Sequence, residues 1–252
     1  MDLIKNKTVI ITGASQGIGE ATARLFAKLG ANVALIARSQ EKIEKISDEI
    51  NNNGGKSIAL TCDISNPKEV DSAIKLTLKT FEKIQILIGN AGTIHPIKDI
   101  SSMEVSDFDK VIDINVKGVW YGIKAVLPHM KNGGTIITVG SGAASNALEG
   151  WSHYCTSKAA VHHLNSCLDL EMRKHLIRAL VLSPGTVATE MQRKIKNSGI
   201  NPVSKMDWSS HIAPEWVAKC LLWMCSEEAD AYLGEVVSLR EEKIRQAIGF
   251  YD

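Results

Sequence analysis

Tyr154 and Lys158 stand four positions apart at the head of a stretch of helical period, Tyr154-Cys155-Thr156-Ser157-Lys158. That spacing brings a phenol and an ammonium to one face of a helix. A free phenol, with a pKa near ~10, is a poor acid-base group at pH 7. An ammonium about 5 Å away, at an effective dielectric of about 20, attracts the phenolate by about 3 kcal/mol, or roughly two pKa units. The pair is a candidate proton-transfer device; the bland alternative is two surface side chains on one helix.

A second set of residues has the chemistry to hold phosphate. Thr12-Gly13-Ala14-Ser15-Gln16-Gly17-Ile18-Gly19 lies between a β-branched run, Thr8-Val9-Ile10-Ile11-Thr12, and a helical pattern of Ile18, Ala21, Thr22, Leu25, Phe26 and Leu29. Glycines there permit a tight turn and let backbone N–H groups and a helix N-terminus approach a pyrophosphate. At the end of the next strand, dinucleotide folds place an acid for a ribose 2′-hydroxyl or a base for a 2′-phosphate. This chain has Ala37-Arg38-Ser39 there. A guanidinium forms two parallel hydrogen bonds to phosphate, so NADP(H) is expected over NAD(H). Asp63, ending the third strand, either accepts from the adenine amino group or simply precedes a helix.

The elements that must position these groups alternate. Short strand-like runs at Thr8 to Thr12, Asn32 to Ala37, Lys56 to Cys62, Ile86 to Ile88, Thr135 to Val139 and Ala179 to Leu182 are separated by helical stretches, among them Ser106 to Met130 and Tyr154 to His175. Asn66-Pro67-Lys68-Glu69 reads as a helix start, with Asn66 as cap and Glu69 closing a capping box. This rhythm predicts an α/β fold: a doubly wound parallel sheet of Rossmann type in three layers, as a single domain over 1–252. Residues 184–212 are polar and weakly periodic, which predicts a mobile substrate lid. Gly234 to Leu239 is a candidate last strand, and Arg240 to Ile248 a short charged helix within an unusual tail, 240–252.

Taken together, the motifs resemble the short-chain dehydrogenase/reductase family. The glycine loop, Asn90-Ala91-Gly92 after the fourth strand, Asn115 in the next helix, Ser141 thirteen residues before Tyr154, the Tyr-x-x-x-Lys, and Pro184-Gly185 after the sixth strand fall in that family's order and spacing. The resemblance runs from about Thr8 to Thr189. It implies a metal-free site in which Tyr154 is the general acid in reduction and the base in oxidation, and Lys158 tunes it and holds the nicotinamide ribose. Ser141 would hydrogen-bond the substrate oxygen and Asn115 hold a relay water. The cofactor would rest on Gly13, Ser15, Gln16, Gly17, Ile18 and Gly19, with Arg38, Asp63 and Ile64 around adenosine. Asn90, Ala91 and Gly92 would line the ribose side, and Pro184, Gly185, Val187 and Thr189 the nicotinamide.

Three positions depart from the family pattern: Gly89 replaces a second Asn, Gln16 is not basic, and Leu239-Arg240-Glu241-Glu242 replaces an Asp-Gly-Gly ending. His162-His163 read as ordinary helix residues, since no His, Asp or Glu set has metal spacing. His95 and three tryptophans, Trp151, Trp208 and Trp216, are candidate pocket walls or packing residues.

Composition excludes other classes. With 252 residues, 44% of them hydrophobic, the chain supports one substantial core. Its 29 basic and 28 acidic side chains nearly cancel, so no global field draws nucleic acid or an anionic membrane. Five cysteines without metal or redox spacing suit a reducing, cytoplasmic setting, and Met1 to Lys7 lacks a signal-peptide core. The expectation is an NADP(H)-dependent reductase of a ketone or aldehyde, acting as a homodimer or homotetramer. The alternatives are a 3-oxoacyl thioester reductase, for which Lys131 and Arg178 are present without an obvious arginine cluster, and a nucleotide-binding regulator that lost its chemistry.

Overall fold

The structure is a computed structural model and describes residues 3–250; the ends of the leader and tail readings, Met1, Asp2, Tyr251 and Asp252, lie outside the described residues. Seven parallel strands form one sheet in the order β3-β2-β1-β4-β5-β6-β7. They are β1 (Thr8–Thr12), β2 (Asn32–Ala37), β3 (Lys56–Thr61), β4 (Ile86–Gly89), β5 (Gly134–Val139), β6 (Ile177–Ser183) and β7 (Val236–Ser238). Strand order reverses between β1 and β4, and ligands of such sheets bind at the carboxyl ends of strands beside that point.

Every residue of β1 is buried. The reason is the period of two: Val9 and Ile11 face one helical layer, and Ile10 the other. The first layer comprises α1 (Gly17–Lys28), α2 (Gln40–Asn52) and α8 (Pro214–Met224), which bury Phe26, Ile43, Ile46 and Leu221. On the opposite face α3 (Pro67–Phe81), α5 (Gly118–Val126) and α6 (Ser152–Met172) contribute Val70, Ile74, Ile123, Val126 and Leu168. The three-layer expectation is therefore met.

Local details differ from the sequence reading in instructive ways. Asn66 does cap α3, accepting from the Lys68 N–H at 3.1 Å. Glu69, however, does not reach back to the Asn66 N–H: its carboxylate accepts from the Asp63 N–H at 2.8 Å and from the Asn66 side-chain amide at 2.7 Å. It ties the helix start to the end of β3 instead. The long helical stretch from Ser106 is not continuous, because α4 (Val105–Ile112) passes through a π turn, Asp113–Lys117, into α5. Such wide turns recur at functional sites, and this one carries Asn115.

The supposed loop of residues 184–212 holds α7 (Glu190–Ser198) and two short 3-10 turns. Thr189 caps α7, and Gly199 ends it in the left-handed region at φ 66°. Only Gln192 and Ile195 of α7 are buried, so few apolar residues mark its period. The segment is pinned at both ends, where the Ala188 N–H donates to the Ile212 carbonyl at 2.9 Å and Ile212 N–H to the Thr186 carbonyl at 3.1 Å. Asn201, buried, donates to the Glu149 carbonyl at 3.0 Å. In the tail, the strand is shorter than the expected Gly234 to Leu239 and the helix, α9 (Glu242–Ala247), starts later than Arg240.

Candidate active site

Each strand hands the cleft a residue from just beyond its carboxyl end. Gly13 follows β1, Arg38 β2, Asp63 β3, Asn90 β4, Ser141 β5, Pro184 β6 and Arg240 β7, and all of them line one cavity of about 620 Å³. Ser15, Gln16, Gly17, Ile18, Ile64, Ala91 and Gly92 join them, as do Gly185, Val187 and Thr189 from the segment after β6. Gly19 and Asn115 stand behind this surface.

The glycine loop is shaped for a bulky anion. Gly13 and Gly17 sit at φ 67° and 59°, where side chains are strained. A Cβ on Gly19 would collide with the Gly13 carbonyl oxygen, so Gly19 lets α1 close onto the loop. Gln16, at the N-cap of α1, provides no side-chain cap. The first N–H groups of the helix thus face the cleft uncapped, a setting that favours phosphate. Asn90 braces the loop, donating from its amide to the carbonyls of Thr12 at 3.0 Å and Gly13 at 3.2 Å.

At the β2 end of the cleft Arg38 is exposed and, among the described residues, forms no ion pair within bonding distance. Asp63 accepts from Ser65 N–H and Oγ at 2.9 and 2.7 Å. Burial acts to raise its pKa, yet these bonds and the charges of Arg38 and Lys110 hold it below the usual carboxylate range. A basic side chain that sequence reading missed stands beside Gln16: Lys42 Nζ donates to Gln16 Oε1 at 3.4 Å. Its signal lay in α2, one helical turn after Arg38.

At the other end Tyr154 and Lys158 are both buried, with Nζ 5.6 Å from the phenol ring centroid. Burial pushes the Tyr154 pKa up to about 12, against the lowering effect of its hydrogen bond with Ser141. Burial also pushes Lys158 down to about 8. Both shifts disfavour the charged forms, as removal from water requires. The lysine donates to the Val139 carbonyl at 2.8 Å, which aims it at the end of β5.

Asn115 is fully engaged. Its amide donates to the Thr93 carbonyl at 2.8 Å and to Ser157 Oγ at 2.9 Å, while Oδ1 accepts from the Thr93 N–H at 2.8 Å. A Cβ on Gly92 would stand 3.4 Å from Oδ1 and 3.7 Å from Lys158 Nζ, so the glycine leaves the asparagine and lysine facing each other. Ser141 Oγ accepts from the Ala143 N–H at 3.1 Å, which leaves its hydroxyl proton to point elsewhere.

His162 has a larger part than ordinary packing. It lies eight residues after Tyr154, on the same face of α6, and its Nε2 accepts from the Ser141 N–H at 3.3 Å. Burial first, then the charge of Lys158, lowers its pKa to about 4, so it stays a neutral acceptor. The 154-158-162 spacing was the available signal. Trp151 lines the cavity and meets Tyr154 edge-on at 5.6 Å. His95 does not line it, and Trp208 and Trp216 lie away, the latter stacked on Phe250 at 4.3 Å.

A short chain dehydrogenase family model matches residues 7–199. An uncharacterized oxidoreductase of Staphylococcus saprophyticus is 34% identical over 242 residues, covering 94% of this chain and 97% of that protein. A short-chain type dehydrogenase/reductase from Mycobacterium marinum superposes with a TM-score of 0.86 at 32% identity, over 93% of this chain and 94% of the other. A short chain dehydrogenase from Burkholderia cenocepacia in complex with NADP gives 0.83 at 26% identity, over 93% and 96%. This chain belongs to the short-chain dehydrogenase/reductase family, and it is an oxidoreductase of that family with a nicotinamide cofactor.

No helix among the described residues is long and apolar enough to cross a membrane.

Proposed function

We propose that the protein is an NADP(H)-dependent oxidoreductase that reduces a ketone or aldehyde to an alcohol, reversibly, through Ser141, Tyr154, Lys158 and Asn115. The observation that carries this reading is one cleft with a buried Tyr154 and Lys158 beside a half-buried Ser141 at one end and, at the other, Arg38 where an acid would select NAD(H). The uncapped start of α1 and the collision that any Cβ on Gly19 would make fit a pyrophosphate at the middle. Lys42, beside Gln16, adds a second positive charge where a 2′-phosphate would rest.

When bound, the nicotinamide supplies or takes the hydride. The protein's share is to orient and protonate. With a pKa near 12, Tyr154 keeps its proton at neutral pH and is set as the donor to a carbonyl oxygen. Ser141, its Oγ already accepting from Ala143, directs its hydroxyl proton at the same oxygen. Lys158, which exchanges its proton near pH 8, returns one to the phenol and meets the Asn115 side across Gly92. His162 holds the Ser141 backbone and stays neutral throughout.

The thioester alternative loses support from Arg178. That side chain is consumed internally, donating to Asp230 at 2.7 Å, to Thr135 at 3.1 Å and to the Met224 and Ser226 carbonyls. It has nothing left to offer an acidic carrier protein. A silent regulator has no use for a buried lysine beside a tyrosine, because burying that charge costs stability. The test is to follow NADPH and NADH absorbance with purified protein against a panel of ketones, aldehydes, sugars, steroids and acyl thioesters. Consumption of neither nucleotide with any carbonyl overturns the reading.

A further inference from the structure

Arg240 stands two residues beyond β7 in a tail whose residues depart from the family pattern, and it lines the same cleft as Tyr154 and Lys158. A Cβ built on Gly185 would stand 3.9 Å from both Cγ and Nε of Arg240, so the side chain lies along the segment that leaves β6. Its position follows from pairing, since the Leu239 N–H donates to the Ser183 carbonyl at 3.1 Å and brings the end of β7 level with the end of β6.

Its charge is uncompensated. Arg24, Arg173, Arg178 and Arg193 are each ion-paired with a carboxylate. The two arginines that line the cleft, Arg38 and Arg240, have no such pair among the described residues. The adjacent acids are taken: Glu241 pairs with Lys243 at 3.2 Å, and Glu242 accepts from Gln246 at 2.9 Å. The uncharged residues that line the cleft together with Tyr154 and Arg240 include Leu148, Met191, Gln192, Ile195 and Val203. A guanidinium without an ion pair, in a cleft with many uncharged and mostly apolar lining residues, is a recognition group for one oxyanion.

Two anions come into question, the cofactor pyrophosphate and a group on the substrate. Four strand steps, about 19 Å at ~4.8 Å each, separate β7 from β1, whose loop forms the phosphate cradle. Arg240 instead lies along the segment that leaves β6, beside Gly185.

Resting on the reductase reading above, we propose that Arg240 selects substrates that carry an anionic group, carboxylate or phosphate, remote from the reacting carbonyl. An exposed guanidinium that forms two hydrogen bonds to such a group favours the charged substrate at least tenfold, about 1.4 kcal/mol.

The test uses ω-oxo carboxylates of increasing chain length, each against its methyl ester, and ω-oxo alkyl phosphates against the parent alcohols, all with NADPH. For the native enzyme kcat/KM is expected to favour the anionic member at least tenfold at one chain length. The two arms tell whether carboxylate or phosphate is preferred. In R240M this ratio should collapse to about 1, in R240K part of it should return, and in R240E the ester should be preferred. Neutral ketones reduced as well as anionic ones at every length, or a preference that survives R240M, overturns the inference while leaving the reductase intact. A change of more than threefold in the Kd for NADPH in R240M also overturns it, because Arg240 is then a cofactor residue. Failure of every carbonyl substrate sinks the underlying function instead.

Discussion

The two ends of the cleft handle charge in opposite ways. At the Tyr154 end Tyr154 and Lys158 are buried, and burial is the largest cause of both shifts, the phenol up to about 12 and the ammonium down to about 8. At the Arg38 end Arg38 and Lys42 stay in water, and the acid near them, Asp63, is held by Ser65 hydroxyl and amide bonds. Desolvation multiplies electrostatic effects, whereas solvent and salt damp them. On the proposed function, single substitutions at the buried end should be severe and those at the exposed end graded.

The most severe test of that contrast is Tyr154→Phe. It removes only a hydroxyl, and turnover is expected to fall at least about a hundredfold while NADPH affinity changes less than about threefold. Near-native turnover with a good substrate would remove Tyr154 as the acid and with it the proposed mechanism.

Arg38→Asp comes next, at the exposed end. The native protein should bind NADPH at least tenfold more tightly than NADH, about 1.4 kcal/mol, and the substitution should invert that order. The native preference should also weaken as salt is raised, as exposed charge requires. Equal dissociation constants in the native protein would refute the assignment of Arg38.

Lys158→Met should separate function from stability. It should abolish most turnover, yet raise unfolding free energy at pH 7 by about 2 kcal/mol, the relief of a depressed ammonium less one lost bond to Val139. The sign follows from linkage: the unfolded chain holds this proton up to a pKa of 10.5 and the folded chain only to about 8. The native penalty is thus complete below pH 8 and fades as pH rises to 10.5, where the variant's advantage should vanish. Chemical denaturation at pH 7 and pH 10.5 reads it directly, and a variant less stable at pH 7 would show that burial is not straining Lys158.

The same proton should appear in kinetics. The pH profile of kcat/KM for carbonyl reduction should decline above about 8 as Lys158 loses its charge, with no second limb from Tyr154 before about 12. A flat profile to pH 10 would detach Lys158 from the rate. The smallest effect is expected of Lys42→Met, a few-fold loss in NADPH affinity with none for NADH, measured by calorimetry at low salt; equal losses for both would place Lys42 outside the 2′-phosphate site.

Much of the fold was legible because its signals are local. Runs such as Val9-Ile10-Ile11 can only be strands buried on both faces, and Gly13, Gly17 and Gly19 mark a turn that other residues cannot make. Tyr154 and Lys158 were legible because a helix converts a spacing of four into contact on one face. The helix α7 was not, since its burial depends on Gln192 and Ile195 alone and its ends are tied to Ile212 and Glu149 from elsewhere in the chain. Nor was the reach of Glu69 past its own cap to Asp63, because a side chain's choice between two nearby N–H groups is made by the loop that presents them.

By itself, then, the order of residues determined the strand-helix alternation, the glycine cradle, the tyrosine-lysine pair and the basic choice at Arg38, each a consequence of backbone sterics or short-range periodicity. Only the tertiary structure decided the direction in which Tyr154 titrates, the service of His162 to Ser141 and of Lys42 to Gln16, and the arrival of Arg240 at the cleft. Those outcomes depend on how deeply a group is removed from water and on which distant strand ends lie level, and neither quantity is carried by neighbours in sequence.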